Sequence, residues 1–165
     1  MTAVAQYLKQ AEIFYQFTHA QLEMVAGLCS EASFAAGEVI CSEKSSSNEL
    51  YIIVQGEVEI LIDSALVGPA GMEPRQTVVA RLGRGQSFGE IALVDQGVRS
   101  ASARAAAPTR LLVIPRDPLM MLCETQPQLG FRLMYNLAAD LAMKVRNSDL
   151  RYRGLLLDDP HRASG

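Results

Sequence analysis

No tryptophan occurs in the 165 residues, and tyrosine and phenylalanine number only five each. A core built from this chain therefore rests mainly on Leu, Val, Ile, Ala and Met. Histidine is almost absent. His19 falls in a helical pattern and His161 lies near the end of the chain. A metal-dependent barrel enzyme needs histidines and carboxylates clustered on strands, so neither a metal nor catalytic chemistry is expected. The three cysteines, Cys29, Cys41 and Cys123, are odd in number, widely spaced and without a C-x-x-C pair. That excludes a disulfide framework and a cysteine metal site, and fits reduced, packed thiols in the cytoplasm. The N-terminus lacks a basic segment followed by an apolar run, so it is not a secretory signal. No apolar stretch approaches the ~20 residues needed to span a bilayer. There is no excess of positive charge either. The formal net charge of −3 lacks the electrostatic footprint of a nucleic-acid binder.

What is present fits one domain with a sizeable core. Thr18 and Gln21 stand at capping-box spacing, and Leu22, Val25, Leu28 and Cys29 share a helical face, which predicts a helix over 19–30. From Ser33 the period changes. Segments at 37–41, 50–54, 57–62, 77–82, 100–106 and 109–114 are rich in β-branched residues and bounded by glycine, proline or polar turns. Gly68, Pro69, Gly71 and Pro74 mark a long loop over 63–76. Asp117 and Pro118 suit the N-cap and first position of a short helix. Leu129, Leu133, Leu137, Leu141 and Val145 recur every four residues and predict a helix over 127–151. The fold class expected is α+β. An antiparallel jelly-roll barrel (33–116) is flanked by N-terminal helices (1–32) and C-terminal helices (117–152), with a loose tail over 154–165. The stripe from Leu129 to Val145 serves either to pack on its own barrel or to pair two copies.

One stretch, 83–103, carries the chemistry. Gly89 lets backbone approach a ligand closely, and a helical turn starting after it points free N–H groups the same way. Arg99 offers a donor fork suited to phosphate. Glu90 is unwelcome beside a phosphate unless it accepts hydrogen bonds, and a sugar hydroxyl is a natural donor. Taken singly, each residue also has a plain role: a turn glycine, a helix-capping carboxylate, a surface arginine.

Phe88-Gly-Glu-Ile-Ala-Leu followed by Arg99-Ser-Ala resembles the phosphate-binding cassette of cyclic nucleotide-binding domains. Gly37-Glu-Val-Ile, the run from Leu50 to Ile60, and Gly85-Gln-Ser-Phe are similar to that family's glycine-bounded strands in the same order. The resemblance covers about residues 12–152 and implies roles. Phe88 and Gly89 open the cassette, and the N–H groups of Ile91 and Ala92 face the cyclic phosphate. Glu90 accepts the ribose 2′-hydroxyl. Arg99 and Ser100 hold the phosphate, with Ala101 following, while Val54 and Leu82 line the base pocket. The implied ligand is cAMP or cGMP, and Ser100 favours cAMP. No other cofactor is implied. The resemblance also carries departures: Gly97-Val98 replaces a proline common before the arginine. Lys144 and Val145 stand where base-contacting hydroxyls are expected, with Asn147 and Ser148 nearby. The implied function is a regulatory cAMP-sensing module that couples binding to rearrangement of the C-terminal helices, with a homodimer through 127–151 as a partner arrangement. The alternative is the same fold without ligand, acting as a protein-interaction scaffold. About a dozen residues follow Arg151, too few for a helix-turn-helix, so contact with nucleic acid or membrane is not expected from this chain alone.

Overall fold

The computed structural model describes residues 1–42, 48–63, 75–94 and 101–157. Helices α1 (Ala3–Lys9) and α2 (His19–Ala26) flank a single 3-10 turn, Glu12–Phe14. The capping box at the start of α2 forms as its spacing predicts: the Gln21 N–H donates to Thr18 Oγ1 (3.2 Å), and the Thr18 N–H donates to Gln21 Oε1 (2.9 Å). The helix stops at Ala26, short of the expected end. Leu28 and Cys29 N–H groups bond to the Val25 and Ala26 carbonyls, a tighter turn that releases the chain into a strand from Ser30.

Among the described residues eight strands follow: β1 (Ser30–Phe34), β2 (Val39–Cys41), β3 (Glu49–Gln55), β4 (Glu57–Asp63), β5 (Gln76–Gly83), β6 (Ser87–Phe88), β7 (Ser102–Ala105) and β8 (Thr109–Pro115). A four-residue helix α3 (Ile91–Val94) lies between β6 and β7. Helices α4 (Arg116–Thr125) and α5 (Pro127–Leu157) end the described chain. The strands pair antiparallel in two sheets of four, ordered β1-β8-β3-β6 and β2-β7-β4-β5. The arrangement is a jelly-roll-like sandwich of α+β class, not a sheet closed into a barrel.

Strand β3 shows why the sequence there is apolar at every step. Tyr51 and Ile53 point into the sandwich with Val58, Phe88, Ala103 and Leu111. Leu50, Ile52 and Val54 point the other way, under the helices, with Leu112, Ile114, Leu119, Leu129 and Leu133. Each side chain so enclosed contributes about 1.5–3 kcal/mol of burial. The strand is thus buried on both faces, which a continuous apolar run fits. The turn into β4 is built on Gly56 at φ +103°. A Cβ there would sit 2.4 Å from Thr109 Oγ1 and 2.6 Å from the Pro108 carbonyl, so no other residue fits without movement.

The C-terminal helices differ from expectation in two respects. The cap of α4 is Pro115, and Asp117 instead lies in the first turn, paired with Arg116 at 2.9 Å. Helix α5 runs on through Leu157, so the part of the expected tail before 158 is helical. The leucine stripe also divides. Leu129, Leu133 and Leu137 are buried against the chain's own core, whereas Val145 is 60% exposed. Asn136 anchors the same buried side, donating from Nδ2 to the carbonyls of Ile13 (2.9 Å) and Tyr15 (2.8 Å).

Candidate functional site

The turn that introduces the cassette is held from two sides. The Gly85 N–H bonds to the Ile53 carbonyl (2.9 Å) and the Ile53 N–H to the Gln86 carbonyl (3.0 Å), which continue the β3–β6 pairing. From the N-terminal segment, the Glu12 N–H reaches the Gly85 carbonyl (3.2 Å) and Arg84 Nη2 reaches Gln10 Oε1 (2.7 Å). Phe88 then stacks on Tyr51, with ring centroids 4.8 Å apart. Gly89 turns the chain at φ +83°, a conformation that L side chains resist. Glu90 follows, immediately before the short helix α3.

Helix α3 is seated by Leu93, which is fully buried in the core beneath the helices, with Ala92 beside it. The Leu93 carbonyl accepts from Arg116 Nε at 3.1 Å. Arg116 is the first residue of α4, so one side chain ties the end of the cassette helix to the start of the C-terminal helices. Nothing in the sequence pattern singled out this arginine.

A cavity of about 210 Å³ opens between α3 and the inner face of the second sheet. Phe88, Gly89, Glu90, Ile91 and Ala92 form one wall. Ile60, Ala80, Leu82 and Cys41 form another, Ala101, Ser102 and Ala103 a third, and Lys144 of α5 enters from the open side. The walls are mostly apolar and the polar groups few, as in small-molecule sites generally. The residues expected from the sequence, Phe88, Gly89, Glu90, Ile91, Ala92, Ala101 and Leu82, thus gather on one cavity. Two expectations are corrected. Val54 packs under the helices on the far face of β3 and does not line the cavity; strand alternation puts Tyr51 and Ile53 on the inner side instead. The Ala92 N–H is taken up by the Gly89 carbonyl at 3.2 Å and does not point freely into the site. Arg99 and Ser100 lie outside the described residues, as does the 64–74 part of the long loop.

Glu90 is the chemically demanding group. It is only 6% exposed, and a buried carboxylate without partners is costly. Its partner is the Lys144 ammonium, which also lies 3.0 Å from Asp140 on the preceding turn of α5. Burial works against the Lys144 charge, but the Glu90 and Asp140 carboxylates outweigh it, and the ammonium pKa is raised. Asp140 was missed from the sequence, although its four-residue spacing to Lys144 is the usual signal of a helical ion pair. Elsewhere, Arg104 and Arg81 hold Glu59 at 2.7 and 2.9 Å, and Arg104 chiefly keeps that carboxyl below the ordinary range. Among the described residues no group of three or more His, Cys, Asp or Glu could hold a metal ion. No helix among them is long and apolar enough to cross a membrane.

A glycine-opened turn, a short seated helix and a buried carboxylate thus meet on one apolar cavity between jelly-roll sheets. The family model described as "Cyclic nucleotide-binding domain" matches residues 31–126, and the chain belongs to that family. It is 29% identical over 143 residues to the cyclic AMP receptor protein of Thermus thermophilus, a match covering 87% of this chain and 61% of the relative. The crystal structure of Thermus thermophilus catabolite activator protein superposes with a TM-score of 0.72 at 28% identity, covering 88% of this chain and 63% of that one. A cyclic nucleotide-binding domain from Methylobacillus flagellatus shares the fold at TM-score 0.75 and 24% identity, covering 90% of this chain and 79% of that one. The chain spans about three fifths of the Thermus relative.

Proposed function

We propose that this chain is a regulatory sensor of a cyclic nucleotide, cAMP in the first place, which passes the binding event to α4 and α5. The observation that carries the reading is the cavity walled by Gly89, Glu90 and α3, whose deeply buried carboxylate, Glu90, suits a sugar hydroxyl as donor. The Arg116 bond to the Leu93 carbonyl supports the coupling, because a shift of α3 must alter the start of α4. The name of the Thermus relative supports cAMP. On this reading the chain catalyses no reaction, needs no resident cofactor and works in the cytoplasm. Its partners are the nucleotide and a second copy of itself, not nucleic acid or a membrane.

The surface for that second copy shares only Val145 with the leucine stripe. Phe131, Tyr135, Ala138, Ala142 and Val145 are exposed and recur at spacings of four and three along α5, the seam of a coiled coil. Small residues at 138 and 142 allow close approach of a second helix.

Calorimetric titration with cAMP and cGMP, on wild type and Arg99→Ala, tests the sensor. Heat is expected with cAMP, and Arg99→Ala weakens binding by at least ~1.5–3 kcal/mol, the scale of a charge-assisted bond. No heat with either nucleotide, in wild type and equally when Lys144 is replaced, refutes the sensor. It leaves the scaffold reading, which one observation favours: an internal side chain, Lys144, already sits on Glu90.

A further inference from the structure

Lys144 is an unusual occupant for a site that must accept a sugar. Its ammonium reaches out of α5 to Glu90, the carboxylate among the described lining residues of the cavity, and its side chain is 43% exposed, so a route back to solvent is open. The outer half of α5 has little else to hold it. Every residue from Ala142 to Leu150 is exposed. Among the described residues, the Lys144–Glu90 pair is the polar contact that ties this half of the helix to the sandwich. Asp140 stands behind Lys144 on the same helix and offers the ammonium a second carboxylate at 3.0 Å.

We propose that Lys144 is an internal competitor for the sugar subsite: without nucleotide it occupies Glu90 and holds the outer half of α5 against the cavity, and a ribose hydroxyl is accepted only as it is released. The proposal rests on the reading of Glu90 as sugar acceptor. Lysine has donors and no acceptor, as a hydroxyl has one donor to offer, so both satisfy the same carboxylate and exclude one another there. Selectivity follows from this exchange. A ligand lacking the 2′-hydroxyl leaves the Lys144–Glu90 pair intact and forfeits only the difference between two contacts. The wild-type chain therefore separates cAMP from 2′-deoxy-cAMP weakly. A chain without the ammonium separates them strongly, because a ligand without the hydroxyl then leaves Glu90 buried and unpaired.

Two measurements on the whole chain test the competitor. Hydrogen exchange without nucleotide compares wild type with Lys144→Met, Lys144→Arg and Glu90→Gln. In Lys144→Met and Glu90→Gln, amides over 138–150 exchange about fivefold faster, the scale of one partly exposed ion pair, while Lys144→Arg retains protection. Calorimetry with cAMP and 2′-deoxy-cAMP gives the second readout. Lys144→Met binds cAMP about fivefold more tightly, and the ratio between the two ligands widens. Binding that emerges only in Lys144→Met supports the same conclusion. Unchanged exchange in both variants, or weaker cAMP binding by Lys144→Met, overturns the competitor, the latter by making Lys144 a ligand contact. No heat from either nucleotide in wild type and both lysine variants overturns the nucleotide reading of the site itself. The exchange rates then still decide, on their own, whether Lys144 restrains α5.

Discussion

Replacing Asn136 by alanine removes the clasp between α5 and the N-terminal segment. Asn136 is 9% exposed, and its Nδ2 donates to two carbonyls, those of Ile13 and Tyr15, at 2.9 and 2.8 Å. The Ile13 carbonyl lies in a buried setting, so losing its donor leaves an unpaired acceptor that water does not reach, at about 1–3 kcal/mol. The Tyr15 carbonyl is part-buried and regains water, which limits its loss to about 0.5–1 kcal/mol. Together they give a loss of about 1.5–4 kcal/mol. For a chain of this size each kcal/mol lowers Tm by about 2–4 °C, so a fall of roughly 3–16 °C is expected. Thermal and urea unfolding followed by circular dichroism measure it. A loss below about 1 kcal/mol refutes the reasoning, because it means that the two carbonyls find other donors and that Asn136 adds nothing to the hold on α5.

Gly56→Ala places a methyl against Thr109 and the Pro108 carbonyl in a left-handed turn, and a loss above about 2 kcal/mol is expected by urea unfolding. Glu59 is ionised more readily in the folded chain than in the unfolded one, because Arg104 and Arg81 favour its charge. The unfolded chain therefore binds the extra proton, and the stability from Glu59 is present above its ordinary value of 4.5 and is lost as pH falls through the lower folded value. Tm measured against pH is expected to fall less steeply on the acid side in Glu59→Gln than in wild type; identical slopes refute this. Phe131→Asp puts a charge in the exposed seam of α5. Sedimentation velocity is expected to show a self-associating wild type and a monomeric variant, while an already monomeric wild type rules out the seam as an interface.

The strands were legible because their chemistry is local. Tight connections such as Gln55-Gly56 and β-branched runs declare themselves over a few residues, and the capping box at Thr18 needed only two side chains at the right spacing. The cassette was legible for a different reason: glycine, carboxylate and short apolar turn occur in a fixed order within six residues. What was not legible depends on direction. Which face of β3 looks inward is set by the whole sandwich, so Val54, expected to line the base pocket, packs under the helices instead. The leucine stripe of α5 shows an apolar face but not where the body beneath it ends, and that end decides why Leu137 is buried and Val145 exposed. Contacts between distant elements, such as Lys144 with Glu90 or Arg116 with Leu93, leave no trace in spacing at all.

Strand β3 is a partition wall with two tenants. Its odd positions, Tyr51 and Ile53, furnish the room between the sheets, and its even positions, Leu50, Ile52 and Val54, furnish the room under the helices. A substitution at Ile53 reshapes the packing behind Phe88 and leaves the seat of α5 untouched, whereas one at Ile52 does the reverse. Adjacent codons thus tune the packing between the sheets and the grip on the helices, and a lineage can alter one without surrendering the other.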